Sequence, residues 1–262
     1  MSNVKVEITE INKRKIAFLY LDNAQTKNSM TWEMGLAFRS EIEKLKISKD
    51  VSCLIITGKN HIFSSGGDLG LLASFKSKTF EENKRDMFVF YNNFLSVRTL
   101  PFPVIAAVNG HAMGAALSLA FACDIRVFSQ NSKYSFNFVK LGIHPGMGSS
   151  YITSELFGKD KSNYLLMMAD SMTGEEAHEQ GFCHDAVAMD DVLKRAMEFA
   201  ITVGESSPIA LRLLKQTVYD NEALEKALIR EADAQAQCFR TADFAESITA
   251  ITEKRKPFFK GE

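Results

Sequence analysis

The chain has 262 residues, 46% hydrophobic and 24% charged, with a formal net charge of -1. That length and balance fit one large α/β domain with ample core, and they supply no positive field with which to hold nucleic acid. The longest apolar stretch, 104–122, is broken by Asn109, Gly110 and His111, so no segment is expected to span a bilayer. In chain order, the polar segment 1–10 has no apolar run of the kind a signal peptide needs, and 4–8 and 16–21 read as paired strands. Thr31 is placed to cap a helix running to about Ile47, with Met34, Phe38, Ile42 and Leu45 on one face. The β-branched run 51–57 is a buried strand, and a second helix spans 80–97. Pro101-Phe102-Pro103 then forces extended backbone ahead of a buried strand, Val104–Val108. A small-residue helix over 112–123 and a third strand over 125–128 complete the first half. Strands alternating with helices, and buried on both faces, imply a parallel sheet covered by helices.

From Gly146 onward almost every segment reads as helical. Thr173 and Glu176 make a capping box, Ser207-Pro208 gives an N-cap with proline at the first helical position, and 221–254 is helical except for a break near Thr241. A boundary near residue 200 separates a core over 1–200 from a helical region over 201–262, not two independent units, and the apolar faces of that region pack either on the core or on a neighbouring subunit. Lys254-Arg255-Lys256 suits a helix C-terminus or a phosphate contact. Cys53, Cys123, Cys183 and Cys238 are scattered, as expected of free thiols in a reducing, cytoplasmic compartment. No His/Cys pair shows metal-ligand spacing.

Two glycine-containing turns follow buried strands: Phe63-Ser64-Ser65-Gly66-Gly67-Asp68-Leu69 and Asn109-Gly110-His111-Ala112-Met113-Gly114-Ala115-Ala116. Ligands of open α/β sheets bind where such turns lie. The glycines serve either tight turns alone or two backbone N–H groups that converge as an oxyanion hole. No GxGxxG, P-loop or GxSxG pattern occurs, and Ser118 and Ser149 have no evident His/Asp partners.

The first turn resembles the first signature of the crotonase (enoyl-CoA hydratase/isomerase) superfamily, and the run from Pro103 to Gly114 is similar to the second. Cys123-Asp124-Ile125-Arg126, Leu141-Gly142-Ile143-His144-Pro145-Gly146-Met147-Gly148 and Glu253-Lys254-Arg255-Lys256-Pro257-Phe258-Phe259 follow in the family's order. The resemblance implies a ββα spiral core with a helical C-terminal trimerisation region, giving a homotrimer or hexamer. It implies a coenzyme A thioester as substrate, with no tightly bound cofactor, and places the two oxyanion donors at Gly67 and Ala115. Ser65, Asp68 and Leu69 fall on the coenzyme A segment, Lys27 and Lys254 on positions near its phosphates, with Lys254 reaching from the same or a neighbouring subunit.

Where hydratases of this family carry two glutamates, this sequence has Ser118 and Phe138, and neither can move a proton near neutral pH. His144, beside the Pro145-Gly146 turn, is either the acid/base or a histidine that braces the turn. Asp68 fits loop structure, and His111 the start of a helix. The resemblance therefore implies an acyl-CoA enzyme that stabilises a thioester enolate. Two alternatives stand beside it: a decarboxylase of a malonyl- or glutaconyl-type thioester, on coenzyme A or a carrier protein, and an inert acyl-CoA-binding protein.

Overall fold

The computed structural model describes residues 3–262; Met1 and Ser2, the start of the polar segment, lie outside the described residues. Strands β1 (Val4–Ile11) and β2 (Arg14–Leu21) form an antiparallel hairpin with Val4 opposite Leu21. Helix α1 (Trp32–Lys46) starts where expected, the Thr31 side chain accepting from the Met34 N–H. After it come β3 (Val51–Gly58), the short α2 (Leu69–Ser74), α3 (Phe80–Leu95) and β4 (Val104–Val108).

The stretch expected to be one helix from residue 112 divides. Ala112–Met113 is a two-residue strand, β5, and the helix α4 is only Ala115–Phe121. Alanine-rich helix propensity loses here to pairing with β7 (Lys133–Ser135), which follows β6 (Ile125–Ser129). The second half also holds strands that helical periodicity hid: β8 (Met172–Thr173), between α5 (Ser149–Met168) and α6 (Gly174–Glu179), and β9 (Asp185–Val187). β9 closes the edge of the main sheet, whose order is β1-β2-β3-β4-β6-β9, parallel from β2 onward.

Alternation within the buried strands sorts side chains to two cores. Cys53 and Ile55 of β3, with Ile105 and Ala107 of β4, meet Val192, Ala196 and Ala200 of α7 (Val192–Gly204), which runs unbroken past residue 200. Leu54, Ile56, Val104, Ala106 and Val108 face the larger core beneath α1 and α3. Beyond α7 come α8 (Pro208–Val218), α9 (Asn221–Cys238) and α10 (Ala242–Thr252), broken near Thr241 as expected. α9 lies along α3 and α5, whereas α8 leaves Ile209, Leu213, Leu214 and Val218 exposed. Among the described residues no helix is long and apolar enough to cross a membrane. All four cysteines are free, and burial pushes the Cys123 and Cys183 thiols up to about 12, out of the reactive range.

Candidate active site

The main sheet and the small one are two faces of a single winding. β4 leads through residues 109–111 into β5, and β6 leads through 130–132 into β7. One turn earlier, β3 leads to Ser64, which bridges Ala112, and Ala112 in turn pairs with Tyr134. Ser64, Ala112 and Tyr134 are thus equivalent points on successive turns. Three residues beyond the first two stand Gly67 and Ala115, so the winding itself sets these two peptide groups side by side.

Backbone contact between the turns depends on glycine. Gly66 has φ +89, and a Cβ there would stand 2.4 Å from the Met113 carbonyl oxygen, closer than any side chain tolerates. Gly114 has φ +50 and donates its N–H to the Ser135 carbonyl at 2.8 Å. Met30 donates to Gly66 O at 2.8 Å and accepts from Asp68 N at 3.2 Å. In a parallel bridge of this kind the intervening residue, Gly67, turns its own N–H to the opposite side. Ala115 is the first residue of α4, ahead of the first intrahelical bond, which runs from Ser118 N to Gly114 O. Among the described residues no acceptor takes the N–H of Gly67 or of Ala115.

Both residues line one cavity of about 450 Å³, whose wall is largely apolar, with Leu72, Phe75, Met87, Phe90, Met147 and Ile251 contributing. Ser65, Asp68 and Leu69 line it too, Ser65 and Leu69 at its exposed rim. Lys27 is exposed outside it, its carbonyl accepting from Ser65 N at 3.0 Å. Lys254 is exposed three residues beyond Ile251. Among the described residues no group of three His, Cys, Asp or Glu is arranged to hold a metal ion.

The structure gives the titratable candidates other work. Asp68 caps α2, accepting from Leu71 N at 2.9 Å and from the Ser29 hydroxyl at 3.1 Å. His144 is not part of the cavity wall: its Nδ1 lies 2.6 Å from the Pro145 carbonyl oxygen, and its own carbonyl accepts from Gln235 Nε2 at 2.7 Å. His111 accepts from Lys133 N at 2.8 Å, pinning β7. The Ser118 hydroxyl donates to the Gly114 carbonyl at 3.1 Å, while the Phe138 ring forms part of the wall.

Sequence reasoning missed three polar residues of the wall. Asn137 reaches the cavity beside Gly114. Tyr91, 2% exposed on α3, has a hydroxyl without a partner among the described residues. Gln235 on α9 completes the group, fixed by its bond to His144. Behind Tyr91 and Gln235 lies Glu231, 1% exposed, accepting from Gly148 N at 2.6 Å, Ser150 N at 2.8 Å and the Ser150 hydroxyl. Burial raises its carboxyl to about 7 against the pull of those bonds. A signal was present: Leu224, Leu228, Glu231 and Gln235 share one helical stripe, and polar residues on an apolar stripe need partners.

Comparison with known proteins gives this geometry its lineage. The enoyl-CoA hydratase/isomerase family model matches residues 11–262. A probable enoyl-CoA hydratase of Mycobacterium leprae is 30% identical over 249 residues, covering 94% of this chain and 95% of that protein. A short-chain-enoyl-CoA hydratase of Clostridium acetobutylicum is 31% identical over 255 residues, covering 96% and 93%. The ECH2 decarboxylase domain of CurF from Lyngbya majuscula superimposes with a TM-score of 0.79 at 23% identity, over 94% of this chain and 98% of that one; that likeness is one of fold. The chain therefore belongs to the enoyl-CoA hydratase/isomerase family.

Proposed function

We propose that the cavity binds an acyl-CoA with its thioester oxygen between the Gly67 and Ala115 N–H groups, which stabilise the enolate formed at the α-carbon. The observation that carries this reading is the pair of peptide N–H groups, without acceptors among the described residues, at equivalent points of adjacent turns in the wall of one largely apolar cavity. Donors fixed by the backbone need no reorganisation as charge develops, and a low-dielectric wall strengthens them. Ser65 and Leu69 at the rim line the path of the pantetheine arm in this reading, with Lys27 and Lys254 near the coenzyme A phosphates. The exposed apolar residues of α8 fit contact with neighbouring copies in a trimer or hexamer.

One way of forming the enolate suits the wall. Asp68 and Ser118 are engaged in backbone bonds, His144 stands outside, and Phe138 is inert. Decarboxylation needs no base: the bond between the α-carbon and a carboxylate breaks and carbon dioxide leaves. The electron pair moves onto the thioester oxygen, and a solvent proton then ends on the α-carbon. Among the described residues no lysine, arginine or histidine lines the cavity, so a carboxylate brought there is desolvated, which favours its loss.

The test is direct. Ala115→Pro deletes one donor at a helix position that tolerates proline, and turnover should fall by about 10²–10³-fold with the fold intact. Unchanged turnover would remove the oxyanion assignment. Malonyl-CoA and crotonyl-CoA supplied in parallel separate the routes: carbon dioxide release supports decarboxylation, and robust loss of the enoyl-thioester absorbance overturns it in favour of hydration.

A further inference from the structure

The wall holds one more polar group, placed by the same pairing that makes the spiral. Met113 of β5 pairs with Ser135 of β7, and the Gly114 N–H donates to the Ser135 carbonyl at 2.8 Å. Phe136 is then buried in the core, and Phe138 N bonds back to the Phe136 carbonyl at 2.8 Å, a three-residue γ-turn with Asn137 at its apex. That turn brings the Asn137 side chain to Gly114, the residue before the Ala115 donor: a Cβ on Gly114 would stand 3.0 Å from Asn137 Oδ1. The N–H bonds at the other end of the amide have no acceptor among the described residues. Neither amide atom is sealed inside the protein, and the residue lines the cavity.

The other side-chain donors of the wall are engaged or shut away. The Ser29 hydroxyl bonds Asp68, those of Thr26 and Ser65 bond the carbonyls of Asn23 and Thr26, and Gln235 Nε2 bonds the His144 carbonyl. The Tyr91 hydroxyl has no surface open to a ligand. Because Gly114 and Ala115 are consecutive, the Asn137 amide stands beside the peptide that would hold the thioester oxygen, level with the acyl α-carbon. An alkyl group there would strip water from the amide and leave it unpaired, whereas a carboxylate accepts from it, and charge-assisted bonds are the strongest an amide makes. Being neutral, the amide orients a carboxylate without the ion pairing by which a lysine would hold it back from leaving. We propose that Asn137 is a specificity-determining residue that donates to a carboxylate carried on the acyl α-carbon. The site then selects malonyl-type thioesters over plain acyl ones and over glutaconyl-type ones, whose carboxylate lies two carbons farther out.

This rests on the acyl-thioester reading, and binding measurements separate the two. One probe is sulfoacetyl-CoA, whose sulfonate stands in for the carboxylate and cannot leave as carbon dioxide. Its match is 3,3-dimethylbutyryl-CoA, in which methyls replace the sulfonate oxygens, and 3-sulfopropionyl-CoA carries the anion one carbon farther out. The wild-type protein should bind sulfoacetyl-CoA about 10-fold more tightly than its methyl match. Asn137→Asp keeps the shape and sets a like charge against the anion, so it should weaken sulfoacetyl-CoA by about 10–100-fold and leave the methyl match within about 2-fold. Asn137→Ala removes no hydrogen bond within the protein and should erase the preference at an unchanged melting temperature. Equal wild-type affinity for the pair, or an equal loss for both members in either variant, overturns the Asn137 assignment while the thioester reading stands. Tightest binding of 3-sulfopropionyl-CoA overturns the placement at the α-carbon. If no coenzyme A ester binds, the thioester reading falls, and this inference falls with it.

Discussion

Two polar clusters inside this molecule are treated in opposite ways. At the foot of α8, Asp124 accepts from Val104 N at 2.7 Å, from Lys215 Nζ at 2.8 Å and from the Tyr219 hydroxyl, and Lys215 also donates to the Phe102 carbonyl at 3.0 Å. The Arg98 guanidinium lies 4.0 Å over the Tyr219 ring. Asp124, Lys215 and Tyr219 are matched with one another and tie α8 to the sheet, although Arg98 Nε has no hydrogen-bond partner among the described residues. Around the cavity, the N–H groups of Gly67 and Ala115 and the Tyr91 hydroxyl are held by the fold but left without acceptors among the described residues. The matched cluster holds the structure together; on the proposed reading, the two cavity N–H groups are kept for a thioester oxygen.

Several variants would break or sharpen that contrast. The largest effect is expected at the matched cluster. Lys215→Met leaves Asp124 without its cation and should lower unfolding free energy by about 3–5 kcal/mol, with turnover per folded molecule unchanged. A urea titration giving wild-type stability would mean that the cluster is ornamental.

Next is Glu231, whose carboxyl is raised from 4.5 to about 7 in the folded protein. The folded state then binds this proton more tightly than the unfolded chain, so the contribution is fully present below about pH 4.5 and is lost as pH rises through 7. Relative to Glu231→Gln, the wild type should gain up to about 3 kcal/mol as pH falls from 8 to 4.5. A difference that is flat with pH, measured by denaturant unfolding, would show that the carboxyl is not held neutral.

Smaller still, Tyr91→Phe should leave stability unchanged or raise it by about 1 kcal/mol, since no protein bond is lost. A clear drop in melting temperature would instead place the hydroxyl in the structural class. Ser118→Ala removes only a bond back to the Gly114 carbonyl and should shift stability by about 0.5 kcal/mol with no change in rate. A marked loss of turnover would make Ser118 a participant in the chemistry.

How legible each part was in the sequence follows from how local its cause is. Thr31, Thr173 and Ser207 cap their helices through bonds to residues three positions on, and β3 and β4 announce themselves by β-branched runs, so these elements could be read directly. The true start of α4 could not, because Ala112 is held by Tyr134, 22 residues away, against its own helix propensity. β9 is three residues long and has meaning only as an edge beside β6. At the site, the two glycine turns were visible as turns, and the resemblance supplied Gly67 and Ala115 as donors. His144 looked like an acid/base from its neighbours in sequence, yet its ring bonds the carbonyl of the next residue. Tyr91 drew no reading from the sequence, since the lack of a partner for its hydroxyl is a property of the packed interior and of no local pattern.

The wall of the cavity draws on both ends of the chain: Gly67 and Ala115 come from its first half, Gln235 and Ile251 from its last thirty residues. During synthesis the chain is made from its N-terminus, so both N–H donors can be in place while α9 and α10 are still being translated. On the proposed reading, donors that still lack this wall face water, which competes for them and weakens any hold on an enolate. On the proposed reading, a chain that ended before α9 would keep both N–H donors and lack Gln235 and Ile251 from the wall around them.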